Sequence, residues 1–387
     1  MQFNRNLTVL FIAQAVLGCQ LPIQIILGGL AGQELASNQG FATLPVSIVV
    51  LVSMFAAPAA SMIMGRYGRR IGFLIGAIAG AIGGALCARA LVIGSFPMFV
   101  TGSACIGVFM GVQGFIRFAA SEVVAESQQA RAISLVLAAG LVNALVGPEI
   151  VRVLGDAMDP VPFAGAYIAV IGLNILGAAI LMFLRIPTPQ RREKGAKHGR
   201  PLGAIVAQPT VIAAIVSGMV AYAVMSLVMT STPLAMGDNG FDADRAADVV
   251  RWHVLAMYAP SFFTGHLISR FGHVPIISTG LGLLFVCTLI ALAGVDLHHF
   301  YLALFALGLG WNFGFIGSTS LLASAHRREE QAAVQGLNDF LVFGLVAAAS
   351  FASGQLLDKF SWPAVQYAAM PAIAVALVVL IVARRFR

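Results

Sequence analysis

Charge is what this chain has least of. Asp, Glu, Lys and Arg make up only 10% of its 387 residues, too few to cover the surface of a water-soluble protein of that length. Cysteine is scarce as well. The four, Cys19, Cys87, Cys105 and Cys287, stand singly in apolar surroundings, which excludes a disulfide framework or a cysteine-based zinc site and leaves them as small apolar residues of a helix bundle. There is no nucleotide-binding loop, no catalytic cluster and no stretch polar enough to be a soluble domain, so nothing supports an enzyme or a need for a cofactor. Regular apolar–polar alternation is missing too, which excludes a membrane β-barrel.

What is present is apolar: 59% of the residues are hydrophobic and the mean hydropathy is +0.91. A helix of about 20 apolar residues crosses a bilayer core, and in hydrocarbon only a helix or a closed barrel satisfies its own backbone. The sequence predicts twelve such spans, near 7–30, 42–64, 71–93, 97–120, 132–154, 163–185, 208–235, 246–269, 274–295, 299–323, 332–355 and 363–383. The fold class expected is therefore an all-α membrane protein of twelve transmembrane helices. The first run passes Leu30 without a small-residue cleavage site, so it reads as a span and not a removable signal peptide.

Basic residues orient the spans. Arg5, Arg66, Arg69, Arg70, Arg131, the run from Arg185 to Arg200, Arg270, Arg327, Arg328, Arg384, Arg385 and Arg387 fall on one side if the spans alternate, and the positive-inside bias makes that side the cytoplasm. Both termini are expected there, in a multi-pass protein of a bacterial inner membrane. Glu34, Asp156, Asp159, Asp238, Asp242, Asp244, Asp248, Asp296 and Asp358 fall on the other side. The net charge of +7 then reflects topology and the lipid bilayer as partner, with no nucleic-acid partner implied.

The chain divides at its longest polar segment. Residues 186–207, rich in Pro, Gly and charge, read as a cytoplasmic linker between a six-helix half at 1–185 and another at 208–387. Internal repetition agrees. Arg66-Tyr-Gly68 returns as Arg270-Phe-Gly272 at an offset of 204, while Ala57-Pro58 returns as Ala259-Pro260 and Gln129-Ala130 as Gln331-Ala332, both at 202. Two parallel, pseudo-symmetric halves place a substrate site near the midplane.

The segment Ser61-Met-Ile-Met-Gly65-Arg66-Tyr-Gly68-Arg69-Arg70 resembles the signature between helices 2 and 3 of the major facilitator superfamily, GxxxDRxGRR. Gly65, Arg66, Gly68, Arg69 and Arg70 would form its conformational motif. The resemblance implies a transporter working by alternating access. The acidic position of the signature is Gly65 and its first glycine is Ser61, which leaves the family's charge-based cytoplasmic latch without its usual carboxylate. In the fourth span, Met110 stands where many proton-coupled members carry arginine.

Two patterns speak to substrate. Met225-Ser-Leu-Val-Met229 and His253-Val-Leu-Ala-Met257 each set two lone-pair donors on one helix face. Thioethers with a neutral imidazole suit Cu(I) far better than Mg, Ca or Zn. At 1.5 Å per residue, Met225 and His253 both lie roughly 24–25 Å from the cytoplasmic ends of their antiparallel spans. The pairing resembles the CcoA-like copper importers, a group that includes RfnT-labelled proteins proposed to carry riboflavin. The resemblance implies Met225, Met229, His253 and Met257 as copper ligands, with Met110 and Met236 as additional candidates and copper as cargo bound for cytochrome oxidase assembly through an unidentified downstream acceptor. The alternative is riboflavin or another flat aromatic solute, held by Trp252, Tyr258, Phe262, Phe263, Trp311, Asn312 and Phe313. A metal-binding membrane sensor without flux is a more distant reading. Of the ionisable residues within spans, Asp339, Glu149 and Arg117 are candidates for coupling; Arg89 has no assigned role.

Overall fold

The computed structural model describes the whole chain except residues 1–4, 38–40, 42–43, 156, 187–199, 242, 328 and 385–387. Asp156, Asp242, Arg328, Arg385, Arg387 and most of the expected linker thus lie outside the described residues, as do the side chains of Asp244, Asp358 and Arg384. The helices are α1 (Arg5–Leu17), α2 (Gln20–Leu35), α3 (Leu44–Tyr67), α4 (Arg69–Ile93), α5 (Phe96–Gln113), α6 (Ile116–Glu122), α7 (Gln129–Ala138), α8 (Gly140–Leu154), α9 (Ala164–Leu181), α10 (Leu202–Val206), α11 (Pro209–Asp238), α12 (Ala243–Tyr258), α13 (Ser261–Phe271), α14 (His273–Ala293), α15 (Leu297–Ala325), α16 (Gln331–Phe360) and α17 (Trp362–Arg384).

Several spans are broken helices. The first is α1 followed by α2, the fourth α5 by α6, and the fifth α7 by α8. Among the described residues, eleven stretches are long and apolar enough to cross a membrane. The eighth expected span, 246–269, does not pass as one helix. Its chain turns at Ala259-Pro260 into α12 of 16 residues and α13 of 11, because Pro260 supplies no N–H to the helix ladder. Its first turns also carry the exposed pair Asp248 and Arg251.

The repeat is visible in the backbone. Gly68 joins α3 to α4 at φ 93°, and Gly272 joins α13 to α14 at φ 87°. That region is open to glycine and strained for other residues, so the two Arg-aromatic-Gly sequences encode the same tight corner twice.

Two compact units are present. The first comprises Met1–Val124, Ala139–Lys197 and Gln331–Phe340; the second comprises Ala125–Ala138, His198–Glu330 and Leu341–Arg387. These units differ from a division at the linker, into 1–185 and 208–387, by two short segments, 125–138 and 331–340. Both have visible fastenings. In the second unit, α7 lies on α13 so closely that a Cβ on Gly265 would stand 2.5 Å from the Arg131 Cα. Ser134 donates to the Ser261 carbonyl and accepts from the Gly265 N–H at 3.0 Å. In the first unit, Ser61 donates to the Ala332 carbonyl at 2.5 Å, and Gly65 leaves only 3.0 Å between an added Cβ and the Ala332 side chain.

Within each unit, glycines let helices approach, as membrane bundles require where burial of apolar surface gives little drive. A Cβ on Gly280 of α14 would lie 2.3 Å from the Gly314 nitrogen of α15, and one on Gly83 of α4 would lie 2.7 Å from the Gly102 carbonyl of α5. Buried amides add polar glue to the first unit. Gln20 and Asn174 exchange hydrogen bonds at 3.0 and 3.2 Å. Tyr167 donates to Gln24 at 3.0 Å, and Gln24 donates to Ser103 at 2.9 Å.

Candidate substrate site

The second unit holds an aromatic group built from three helices: Tyr222 of α11, Tyr258 of α12, and Trp311 and Phe315 of α15. Trp311 and Phe315, one turn apart, stack at 5.2 Å with 17° between their planes. Tyr222 meets both edge-on, at 5.6 and 5.1 Å, and Tyr258 meets Trp311 edge-on at 5.7 Å. Trp311 is buried, yet its indole Nε1 has no hydrogen-bond partner among the described residues. A buried indole N–H ordinarily finds an acceptor. Tyr222 and Tyr258 are half-buried, so the group is reachable from solvent at its edge.

Asn312, beside Trp311, is fully buried and belongs to the scaffold. Its Nδ2 donates to the Met257 carbonyl and to Ser261 Oγ, and its Oδ1 accepts from Thr264 Oγ1, each at 2.6 Å. One amide thus bridges the break between α12 and α13 and fixes Tyr258 relative to Trp311. The expectation that Asn312 faces a solute is corrected: its hydrogen bonds are used internally. Trp252, Phe262 and Phe263 are exposed. Tyr222 and Phe315 escaped the sequence reading, although a tyrosine on α11 within a turn of Met225 and an aromatic four residues after Trp311 were the available signals.

The Met and His residues occupy the same unit. Met225 and Met257 are buried, Met236 and His253 fully so, and Met229 is half-buried. α15 presses on α12 here, for a Cβ on Gly308 would lie 2.5 Å from the His253 carbonyl. His253 Nδ1 donates to the Leu304 carbonyl at 2.8 Å. That bond fixes the tautomer and leaves the lone pair on Nε2, which is buried without a hydrogen-bond partner among the described residues. Met110 belongs to the first unit, packed on its core of Ile23, Phe99, Ile106 and Tyr167. A separate trio, Asp296, His298 and His299, brings potential metal-binding atoms within 4.8 Å of one another at the start of α15, two of the three side chains being exposed.

The first unit contains a charged network. Arg69 pairs with Glu122 at 2.5 Å and donates to Gln335 at 2.6 Å, while Glu122 also accepts from Gln331. Gly65 stands at the acidic position of the signature, and the carboxylate that Arg69 meets is that of Glu122, at the end of α6. Gly65 itself is exposed, and a Cβ there would lie 3.0 Å from the Ala332 side chain. Arg66 and Arg70 are exposed. Arg117 and Asp339 form a second ion pair, 6% and 0% exposed. Glu149 is exposed and pairs with Arg152 on its own helix.

Broken membrane-spanning helices, glycine-tight packing and a glycine corner repeated in both halves of the sequence define a multi-pass membrane transporter. The sequence profile of the Major Facilitator Superfamily matches residues 7–243 and 214–387, and the chain belongs to that family as a secondary transporter. It is 42% identical over 380 residues to the riboflavin transporter RfnT of Brucella anthropi, covering 98% of this chain and 95% of that one. The uncharacterized MFS-type transporter YddS of Bacillus subtilis is 28% identical, with 93% and 86% covered. Among solved structures, the human organic anion transporter MFSD10 (TETRAN) superposes with a TM-score of 0.81 at 14% identity, covering 97% of this chain and 99% of that one. A bacterial homologue of the iron transporter ferroportin gives 0.77 at 16%, covering 99% and 100%. These two likenesses show the shared fold.

Proposed function

We propose that this protein takes up riboflavin, or a closely related flavin, across a bacterial inner membrane, with both termini in the cytoplasm. The observation that carries the reading is the 42% identity across nearly the full length to a riboflavin transporter. The aromatic group supports it chemically. An isoalloxazine is a flat ring system with an apolar edge and a polar, carbonyl-bearing edge. Tyr222, Tyr258, Trp311 and Phe315 offer ring faces and edges, and the Trp311 N–H is a donor awaiting an acceptor. The comparisons favour this reading over copper import.

A second reading rests on one observation, the His253 Nε2, buried without a hydrogen-bond partner among the described residues in a unit that also buries Met225 and Met257. Met225, Met229, His253 and Met257 then hold a soft cation as cargo. Paired uptake of radiolabelled riboflavin and copper, in cells lacking their own importers, separates the two. Riboflavin accumulation that survives Met225→Ala/Met229→Ala and collapses on Trp311→Ala is the expected result. Copper accumulation that requires the methionines, without riboflavin flux, overturns it.

A further inference from the structure

The corner between α14 and α15 holds side chains that the aromatic group does not use. α14 runs 21 residues from the Gly272 corner, about 30 Å, and ends at Ala293. Asp296 stands just ahead of α15, whose first turn carries His298 and His299. An aspartate at that position ordinarily turns its carboxylate back onto the N–H groups of the helix. Asp296 does not, for its side chain makes no capping bond. Its Oδ2 lies instead 3.7 Å from His299 Nδ1, beyond hydrogen-bond reach, and that Nδ1 is buried without a hydrogen-bond partner among the described residues.

The two imidazoles lie together, their ring centres 4.1 Å apart and their planes 36° from parallel. The His299 ring is laid against Gly294, where an added Cβ would stand 2.4 Å from its Cε1 and 2.8 Å from each ring nitrogen. A glycine is what makes room for that ring. Asp296, His298 and His299 each bring one potential metal-binding atom within 4.8 Å of the other two. Donors about 2.1 Å from one ion and 3.7 Å apart, as Asp296 Oδ2 and His299 Nδ1 are, subtend roughly 120° at it, which suits a shell of three or four ligands. His298 is exposed, and so able to turn toward such an ion. The positive end of α15 opposes a cation, and the Asp296 carboxylate offsets it. Asp248 is engaged elsewhere: it accepts from Tyr301 at 2.6 Å and pairs with Arg251 at 3.0 Å.

We propose that Asp296, His298 and His299 bind a zinc ion at the start of α15. Two imidazole nitrogens and one carboxylate oxygen suit a borderline divalent metal, whereas magnesium and calcium favour shells of oxygen and Cu(I) favours thioethers. Three protein ligands leave the fourth position of a tetrahedral shell to water. The ion gives His299 Nδ1 the partner it lacks and ties Asp296, ahead of the helix, to the first turn behind it. It thereby stiffens the corner that leads into α15, the helix that bears Trp311 and Phe315 further along. With the basic corners in the cytoplasm, this end of α14 faces the periplasm, so the site meets external metal. It is an accessory site and rests neither on the riboflavin reading nor on the methionines.

The test uses the full chain, purified without a histidine tag and held in nanodiscs, with zinc chloride as the probe. Calorimetric titration should show one zinc bound per chain, and zinc should raise the unfolding temperature. Asp296→Ala and His298→Ala alter exposed side chains, so both should fold. Each should weaken zinc binding by roughly tenfold or more and abolish the rise in unfolding temperature. Cobalt(II), as an optical stand-in, should give the visible absorption of a low-coordinate ion in the wild type and lose it in His298→Ala. Zinc binding should persist in Met225→Ala/Met229→Ala. A wild type that binds no zinc, binding unchanged in Asp296→Ala and His298→Ala, or binding lost with the methionines overturns the proposal.

Discussion

Replacing Trp311 with phenylalanine should move stability and affinity in opposite directions. In the free protein the indole N–H is buried without an acceptor, a situation costing about 1–3 kcal/mol relative to a satisfied or solvated donor. Phenylalanine removes that donor and keeps a ring able to stack on Phe315 and meet Tyr222 and Tyr258 edge-on. The smaller ring leaves a void costing about 1 kcal/mol. The balance is a free protein as stable as the wild type or up to about 2 kcal/mol more stable. In the riboflavin complex the lost N–H would have met a flavin carbonyl. One hydrogen bond of about 1–1.5 kcal/mol corresponds to roughly a five- to tenfold rise in Kd. Purified protein in detergent or nanodiscs allows both to be read: quenching of flavin fluorescence for Kd, and thermal unfolding without ligand for stability. A variant less stable than the wild type with an unchanged Kd would refute the reasoning, because it would show the indole N–H to be satisfied within the scaffold.

Asn312→Leu removes three hydrogen bonds at 2.6 Å and leaves the Met257 carbonyl buried without its partner. At about 0.6–1 kcal/mol per bond in a membrane protein, the loss is about 2–3 kcal/mol, and it should appear as a lower unfolding temperature together with weaker riboflavin binding, since Tyr258 loses its anchor. The carboxyl of Glu330, just ahead of α16, is pulled down to about 2 by the Arg200 guanidinium and then by the backbone N–H groups of Arg327 and Arg200. A depressed carboxylate stabilises the folded state above its unfolded value near 4.5 and loses that contribution as pH falls through about 2. Cleavage by an acid-active protease next to Arg200 should therefore rise through that window in the wild type, whereas Glu330→Gln should be cleaved readily at every pH; identical profiles for the two proteins would contradict the linkage.

The fold was legible because the bilayer imposes a length on each span and the corners carry their own chemistry. Gly68 and Gly272 could be paired from their neighbours alone, and both adopt the left-handed turn that glycine permits. The site was legible only in part. Met225 with Met229 and His253 with Met257 advertise themselves by spacing, each pair along one helix, whereas Tyr222, Tyr258, Trp311 and Phe315 meet because three helices converge, and no local pattern records that. Asn312 misled for a related reason: an amide beside a tryptophan reads as a solute contact until Pro260 is seen to open a helix break that needs bridging. Glu122 was overlooked as a single acid at a helix end, yet its carboxylate is the one that Arg69 meets.

Segment exchange between the units bears on how the protein is made. Asp339 leaves the ribosome 222 residues after Arg117, Gln335 comes 266 residues after Arg69, and Ala332 comes 271 after Ser61. The first unit is thus completed only after residues 198–330 of the second have been made. A gene cut at the linker would yield an N-terminal fragment missing the ten residues that complete its own unit, and a C-terminal fragment missing α7. The two halves should accordingly reach a functional state when co-expressed and be cleared by proteolysis when made alone.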